Sequence, residues 1–332
     1  MGVMNVRRRL IPAAAATAVT AAALGALSAC SSGSSAAVGN TDKFDVVASF
    51  YPMAFLAEQI GGDHVNVTSL TQPGQEPHDL EISAKQTAQL EETDAALYLK
   101  GLQPTVDEAI GQSGVRTKID AATLTSLDHA PGTGGHEDDH GHDDEHGHGD
   151  EHGHSHSHDG RDPHVWLDPA KYAEIAEGVG KAFQKADPDH ATDYKKNTEA
   201  LVGKLNDLDA EFKTGLEHRK TDVFVTTHAA FGHLAARYGL TEEAINGLAP
   251  EAEPSAARVK QLTETAKADG VTTVFYETLI SDRTAKTIAR DAGLRTDVLD
   301  PLEGITDKSR GDDYFQVMES NLRALQTALG AE

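Results

Sequence analysis

Nine of the chain's 17 histidines fall within the 24 residues from His136 to Asp159, "HEDDHGHDDEHGHGDEHGHSHSHD", among nine Asp or Glu, four Gly and two Ser. A solvated acidic linker would account for the carboxylates, but not for imidazoles repeatedly spaced as H-x-H. Such tracts bind divalent transition metals by composition. His136, His140, His142, His146, His148, His152, His154, His156 and His158 are therefore candidate accessory metal ligands. With no apolar residue to bury, the segment 136–160 cannot offset the entropy of ordering itself and reads as a disordered loop. Sites on such a loop are weak and exchanging, so a stronger site is expected elsewhere.

Four further stretches stand out, three of them placing a polar side chain after a strand-like run. "QPGQEPHDLE" puts His78 in a loop shortly after the strand-like "VNVTSL". "RDPHVWLDP" puts His164 just behind the histidine-rich loop and ahead of a helix. "VFVTTHAAFGH" ends an apolar strand at His228, and "TDVLDPLEG" ends another at Asp300, with Glu303 one turn further on. In open parallel sheets, ligands bind beyond the carboxyl ends of the strands. Taken singly, each residue is a weak signal, since a loop histidine is more often an ordinary surface group. His64, His129, His190, His218 and His233 take that plain reading, although His233 neighbours His228. Trp166, the one tryptophan, reads as a core or hinge residue.

The elements that must carry these residues are an alternation of strands and helices. "FDVVAS", "VNVTSL", "AALYLK" and "TKIDA" are short β-rich runs separated by helical patterns, one of them opened by Ser83 as N-cap. After the loop come two helices. The second carries Tyr194, Leu201, Leu205, Leu208, Phe212 and Leu216 at helical spacing. Its roughly 30 residues would reach about 45 Å at 1.5 Å per residue. The alternation then restarts with "DVFVTT", "LTEEAI", "VTTVFYE" and "RTDVL". Strand–helix alternation implies right-handed βαβ units and parallel sheets. The expected fold is α/β: two lobes, each a parallel sheet flanked by helices, bridged by one long rigid helix. The expected division is a leader 1–29, a flexible tether 30–43, an N-terminal lobe 44–188 that includes the loop 136–160, a linker helix 189–218 and a C-terminal lobe 219–332. No sequence repeat relates the lobes.

The chain opens with "MGVMNVRRRLIPAAAATAVTAAALGALSAC", three arginines followed by an uncharged Ala-rich stretch ending at the only cysteine. That is the layout of a secretory leader. Its last residues, Leu27-Ser28-Ala29-Cys30, resemble a lipobox, so Cys30 is the expected lipid-bearing residue, followed by the flexible "SSGSSAAVGNT". The competing reading is an N-terminal membrane helix; no other stretch is long and apolar enough to span a bilayer. One cysteine excludes an internal disulfide and a thiolate-rich metal site. The formal net charge is −24, and about −27 once the leader arginines are removed, which argues against nucleic acid and suits a small cationic partner.

In the order lipobox, "PGQEPHD", His/Asp-rich loop, "DPHVWLDP", long helix, "THAAFG" and "LDPLEG", the mature chain resembles the zinc-binding proteins of bacterial ABC importers, a cluster that includes manganese-binding relatives. The resemblance implies two α/β lobes bridged by a rigid helix. It also implies a lipid-anchored, monomeric protein at the extracytoplasmic face of the membrane, delivering Zn²⁺ to a membrane permease. It puts the family's histidine ligands on His78, His164 and His228, with a carboxylate or water completing the site. Asp300 is the preferred candidate, as the residue ending its strand, and Glu303 the alternative. Three imidazoles and a carboxylate suit tetrahedral Zn²⁺, whereas Mn²⁺ and Mg²⁺ prefer oxygen. The manganese-binding relatives carry a carboxylate where His228 stands. Metal held on the loop, a few residues before His164, would be at high effective concentration near the site.

Two other classes compete with this reading. Three histidines with an open fourth position also make a zinc hydrolase or hydratase. No positioned general base is legible, and no enzymatic activity is expected. Surface adhesion or metal storage by a lipoprotein is the other class.

Overall fold

The computed structural model describes residues 43–127, 161–252 and 254–331. The leader with Cys30, most of the tether, His129 and the histidine-rich segment from His136 to His158 lie outside the described residues.

The N-terminal lobe runs β1 (Phe44–Ala48), α1 (Tyr51–Gly61), β2 (Val65–Ser69), α2 (Ala84–Glu92), β3 (Ala95–Tyr98), α3 (Pro104–Gln112) and β4 (Thr117–Asp120). Its four strands are all parallel, in the order β2-β1-β3-β4. Two long helices follow, α4 (Pro169–Ala186) and α5 (Ala191–Gly215). The second lobe runs β5 (Val223–Thr226), α6 (Gly232–Tyr238), β6 (Thr241–Ala244), α7 (Ala256–Ala268), β7 (Thr273–Tyr276), α8 (Arg283–Ala292) and β8 (Arg295–Val298), then α9 (Tyr314–Leu329). Its sheet is again parallel, in the order β6-β5-β7-β8. The strand order is thus the same in both lobes, a repeat of topology without one of sequence. The expected architecture of two parallel-sheet lobes with a long helix between them is the one observed.

Local chemistry explains where the elements start. Ser83 caps α2 in a reciprocal box: its hydroxyl accepts from the Gln86 amide at 3.3 Å, and the Gln86 side chain accepts from the Ser83 amide at 2.9 Å. Asp168 caps α4 by accepting from the Ala170 and Lys171 amides, with Pro169 preset for the first turn. The bridging helix α5, about 37 Å long at 1.5 Å per residue, buries the stripe Tyr194, Leu201, Leu205, Leu208 and Phe212. It packs on α1 and α4 at one side and on α9 at the other.

One hydrophobic core runs through both lobes, from Phe50, Leu56 and Trp166 to Phe224, Phe275 and Tyr314. Smaller cores lie under each lobe, one around Leu70, Leu90 and Ile110, the other around Val225, Leu262 and Ile288. Trp166 ties the lobes together. Its indole N–H donates to Pro301 O at 2.7 Å, and its own carbonyl accepts from the Tyr314 hydroxyl at 2.7 Å. The carboxyl edges of both sheets therefore face one seam, where buried polar groups from either lobe can meet.

Candidate metal centre

His78 follows β2 in a loop turned by Pro73 and Gly74, the glycine adopting φ +80°, a left-handed value that L side chains resist. The Glu76 carboxylate accepts from the His78 backbone amide at 3.1 Å and fixes the loop locally. His164 stands just before a 3₁₀ turn, Val165–Leu167, that leads into α4. His228 lies two residues beyond β5, and Glu303 five beyond β8. Each lobe thus supplies two side chains, and His78, His228 and Glu303 follow the carboxyl ends of β2, β5 and β8.

The three histidines surround one oxygen. Glu303 Oε1 lies 3.0 Å from His78 Nε2, 3.2 Å from His164 Nε2 and 3.5 Å from His228 Nε2. The Nε2 atoms of His164 and His78 are 3.4 Å apart, and the ligand atoms of all four residues lie within 4.8 Å of one another. Two of the rings are held from behind. His164 Nδ1–H donates to Asp162 Oδ1 at 2.7 Å, and His228 Nδ1–H to Glu277 Oε1 at 2.6 Å. A carboxylate on Nδ1 fixes the tautomer and turns the Nε2 lone pair toward the centre. His78 has no such brace among the described contacts. Its side chain is 11% exposed, whereas those of His164, His228 and Glu303 are fully buried. A cavity of about 440 Å³, lined by His78, Asp79, Leu102, Pro163 and Leu248 among others, adjoins that exposed edge.

The electrostatics are those of a site built for a cation. Burial pushes the Glu303 carboxyl up, but its interactions with His164, His228 and His78 overcome it and hold the group well below its usual range. Burial likewise disfavours a charged His164, yet the charge and hydrogen bond of Asp162, helped by Glu303, raise it from 6.5 to about 9. His228 is raised well above 6.5 against its own burial, by Glu277 and then Glu303. Asp162 is lowered, because the attraction of His164 outweighs desolvation. His228 Nε2 and Glu303 Oε2 are buried without a hydrogen-bond partner. Buried polar atoms left so are uncommon in native structures, and a bound cation would satisfy both.

Asp300, the carboxylate preferred from sequence, is not in this group. Its Oδ1 accepts from the Leu302 amide at 2.9 Å, and its Oδ2 from the Thr278 hydroxyl at 3.0 Å. The structure groups Glu303, the alternative carboxylate, with the three histidines instead. The strand-end residue does face the sheet edge, but the chain then turns sharply through Pro301 and Leu302. Leu302 has φ +58°, the one positive value outside glycine among the described residues. Such a conformation costs an L residue about 1–2 kcal/mol. The turn is what delivers Glu303 to the histidines.

Sequence reasoning passed over three residues. Asp162 and Glu277 brace the rings. Glu277 closes the quoted strand "VTTVFYE", so the strand-end rule that selected His228 applied to it equally. His233, taken as an ordinary histidine, is 3% exposed, and its Nε2–H donates to Asp162 O at 2.9 Å, steadying the segment that carries His164. His64 and His190 stack with ring centroids 4.1 Å apart, against Asp193 and Asp187. His218 is exposed. None of these three belongs to the four-residue group.

Residues 46–328 match the family described as ZnuA, zinc-uptake complex component A, periplasmic. The chain belongs to that family. It is 37% identical over 296 residues to the zinc-binding lipoprotein AdcA of Streptococcus pneumoniae strain R6, covering 87% of this chain and 56% of that one. It is 35% identical over 307 residues to the high-affinity zinc uptake system protein ZnuA of Bacillus subtilis strain 168, covering 90% and 92%. The chain thus spans little more than half the length of the streptococcal relatives and nearly all of the Bacillus protein. Among solved structures, the Zn(II)-bound ZnuA-like domain of S. pneumoniae AdcA matches with a TM-score of 0.69 and 34% identity, over 86% of this chain and 99% of that one. The laminin-binding protein Lmb of Streptococcus agalactiae, described as bifunctional with adhesin and metal-transporting activity, matches at 0.72 and 27%, over 86% and 99%. The family resemblance read from the motifs is the one these comparisons return.

Proposed function

We propose that this protein captures Zn²⁺ outside the cytoplasm and hands it to the membrane permease of an ABC importer. His78, His164, His228 and Glu303 are the ligands in this reading. One observation carries it. Four ligands at about 2.0–2.1 Å from a tetrahedral Zn²⁺ are about 3.3–3.4 Å from each other. The separations between Glu303 Oε1 and the three Nε2 atoms are 3.0, 3.2 and 3.5 Å, and that between His78 and His164 is 3.4 Å. These four of the six edges are close to those of a zinc tetrahedron. Three nitrogens and one oxygen favour Zn²⁺ over Mn²⁺ or Mg²⁺. A glutamate in the fourth position leaves no open coordination site for a nucleophilic water, which weighs against a zinc hydrolase.

The rest of the reading rests on sequence. The leader 1–29 is removed, Cys30 carries the lipid, and the tether 30–43 holds the folded part at the outer membrane face as a monomer. The lobes 44–188 and 219–332, joined by 189–218, enclose the ion. The histidine-rich segment 136–160 gathers zinc for the central site. The test is chelator competition on metal-stripped protein. One tight zinc per chain is expected beyond the loop sites, lost in His78→Ala, His164→Ala, His228→Ala or Glu303→Gln. Wild-type affinity in any of the four removes that residue from the ligand set.

A further inference from the structure

The turn that carries Glu303 is built more heavily than its length requires. Leu302 is fully buried in a left-handed conformation that an L side chain rarely adopts. Such a residue persists only where its surroundings over-determine it. Here they do so from three directions. Asp300 Oδ1 accepts from the Leu302 amide two residues on, the Asx arrangement that closes a turn on itself. Asp300 Oδ2 is held by the Thr278 hydroxyl just beyond β7. The Asp300 backbone is gripped twice by Asn321 of α9, whose Oδ1 accepts from the Asp300 amide at 2.9 Å and whose Nδ2 donates to the Asp300 carbonyl at 2.7 Å. Across the seam, Trp166 donates to Pro301 O at 2.7 Å from a position two residues past His164.

We propose that Asp300 is the positioning residue of the metal centre: held by Thr278 and Asn321, it locks the left-handed turn at Leu302 and thereby aims Glu303 at the three histidines. Trp166 completes the arrangement by tying that turn to the segment bearing His164. The proposal rests on the reading of His78, His164, His228 and Glu303 as zinc ligands, and adds that the fourth ligand is placed by a lock that never touches the ion. Only Asp300 combines the two acceptor oxygens with the peptide N–H and C=O that Asn321 grips. An uncharged Asn at 300 keeps the acceptor for the Leu302 amide, and its amide group can donate to the Thr278 hydroxyl, which accepts as readily as it donates.

The experiment is a double-mutant cycle read as zinc affinity by chelator competition on the full chain, with the Tm of the metal-stripped protein measured alongside. Asp300→Ala is expected to weaken zinc about 10- to 100-fold, the range for residues that orient a ligand. Asp300→Asn is expected to recover most of that. In a Glu303→Gln background, Asp300→Ala is expected to change affinity less than about threefold, because its effect runs through Glu303. Equal losses in both backgrounds mean general destabilisation and overturn the proposal. A loss in Asp300→Asn as large as that in Glu303→Gln also overturns it, because the charge of Asp300 would then be acting on the ion. Should Asp300→Ala fail to fold, Trp166→Phe serves in the same cycle. It keeps an aromatic ring against Phe50 and removes the N–H that reaches Pro301, and a loss confined to the Glu303 background is again expected. An equal effect of Trp166→Phe in both backgrounds rejects the lock. If the wild-type chain binds no zinc tightly, the reading of the site itself fails. Tight wild-type binding without coupling sinks only the lock.

Discussion

Lowering the pH should expel zinc from this site sooner than ordinary imidazoles would allow. The perturbation is proton competition at His164, whose Nδ1–H remains on Asp162 while its Nε2 takes either a proton or the metal. An imidazole with a pKa of 6.5 is only about one-quarter protonated at pH 7 and barely competes. His164 is raised to about 9 by Asp162 and Glu303 against its own burial, so at pH 7 it is some two units below its midpoint. Displacing that proton costs about 3 kcal/mol, on the order of 100-fold in apparent affinity relative to pH above 9. The sign is that of a raised histidine. The proton stabilises the metal-free fold fully below 6.5 and is lost as pH rises through 9, and metal affinity climbs over the same window. His228, raised in the same direction, adds a second proton and steepens the slope. Chelator competition from pH 6.5 to 9.5 should therefore show apparent affinity rising about tenfold per unit from pH 7 and levelling off near and above 9. Calorimetry in buffers of different ionisation enthalpy should count between one and two protons released per zinc at pH 7. Affinity flat from pH 7 to 9, with heats independent of buffer, would show that the carboxylates do not hold the metal-free site protonated, and the electrostatic argument would fall.

Other perturbations test other parts of the structure. Glu277→Gln and Asp162→Asn, which weaken the braces on His228 and His164, should each lower zinc affinity about 10- to 100-fold in the same competition assay while leaving the circular dichroism spectrum unchanged. Removing residues 136–159 should reduce the number of zinc ions bound per chain but keep one tight site, and should slow growth only when zinc is scarce; loss of the tight site in a folded deletion variant contradicts the collector role. Glu242, half-buried on β6 with the Thr226 hydroxyl and the Phe231 amide as partners, has its carboxyl raised by desolvation from 4.5 to about 7. Its ionisation therefore destabilises the fold as pH rises through that interval, by up to about 3 kcal/mol above pH 7. Glu242→Gln should gain stability over wild type in urea unfolding at pH 8 and show little difference at pH 4.5.

The fold was legible because its signals are local and repetitive. The eight strands lie in the eight β-rich runs, and the residues spaced along α5 are those it buries. A strand-end rule picked out His78 and His228 without any knowledge of distance, and the family motif "DPHVWLDP" added His164, which the structure places beside them. The shared strand order of the lobes was not legible, since topology constrains which strands pair and leaves their side chains free to diverge. Nor did hydrophobic spacing single out α9, although Asn321 on it grips the turn that carries Glu303.

The choice between the two carboxylates shows where local reasoning stops. A strand ending at Asp300 does present that residue at the sheet edge, and nothing in "LDPLEG" announces that Leu302 will be left-handed. Glycine or asparagine would have advertised such a turn. Leucine hides it, because the turn is held by Asn321, 19 residues downstream of Leu302, by Thr278 just beyond β7 and by Trp166 across the seam. These partners are non-local, so the turn exists only once both lobes are packed. The same holds for the braces on His164 and His228. A ligand histidine can be guessed from where a strand stops, but the carboxylate behind it is settled by packing. Which of two carboxylates three residues apart meets the histidines therefore depends on the assembled seam, through the long-range contacts that hold one strained residue.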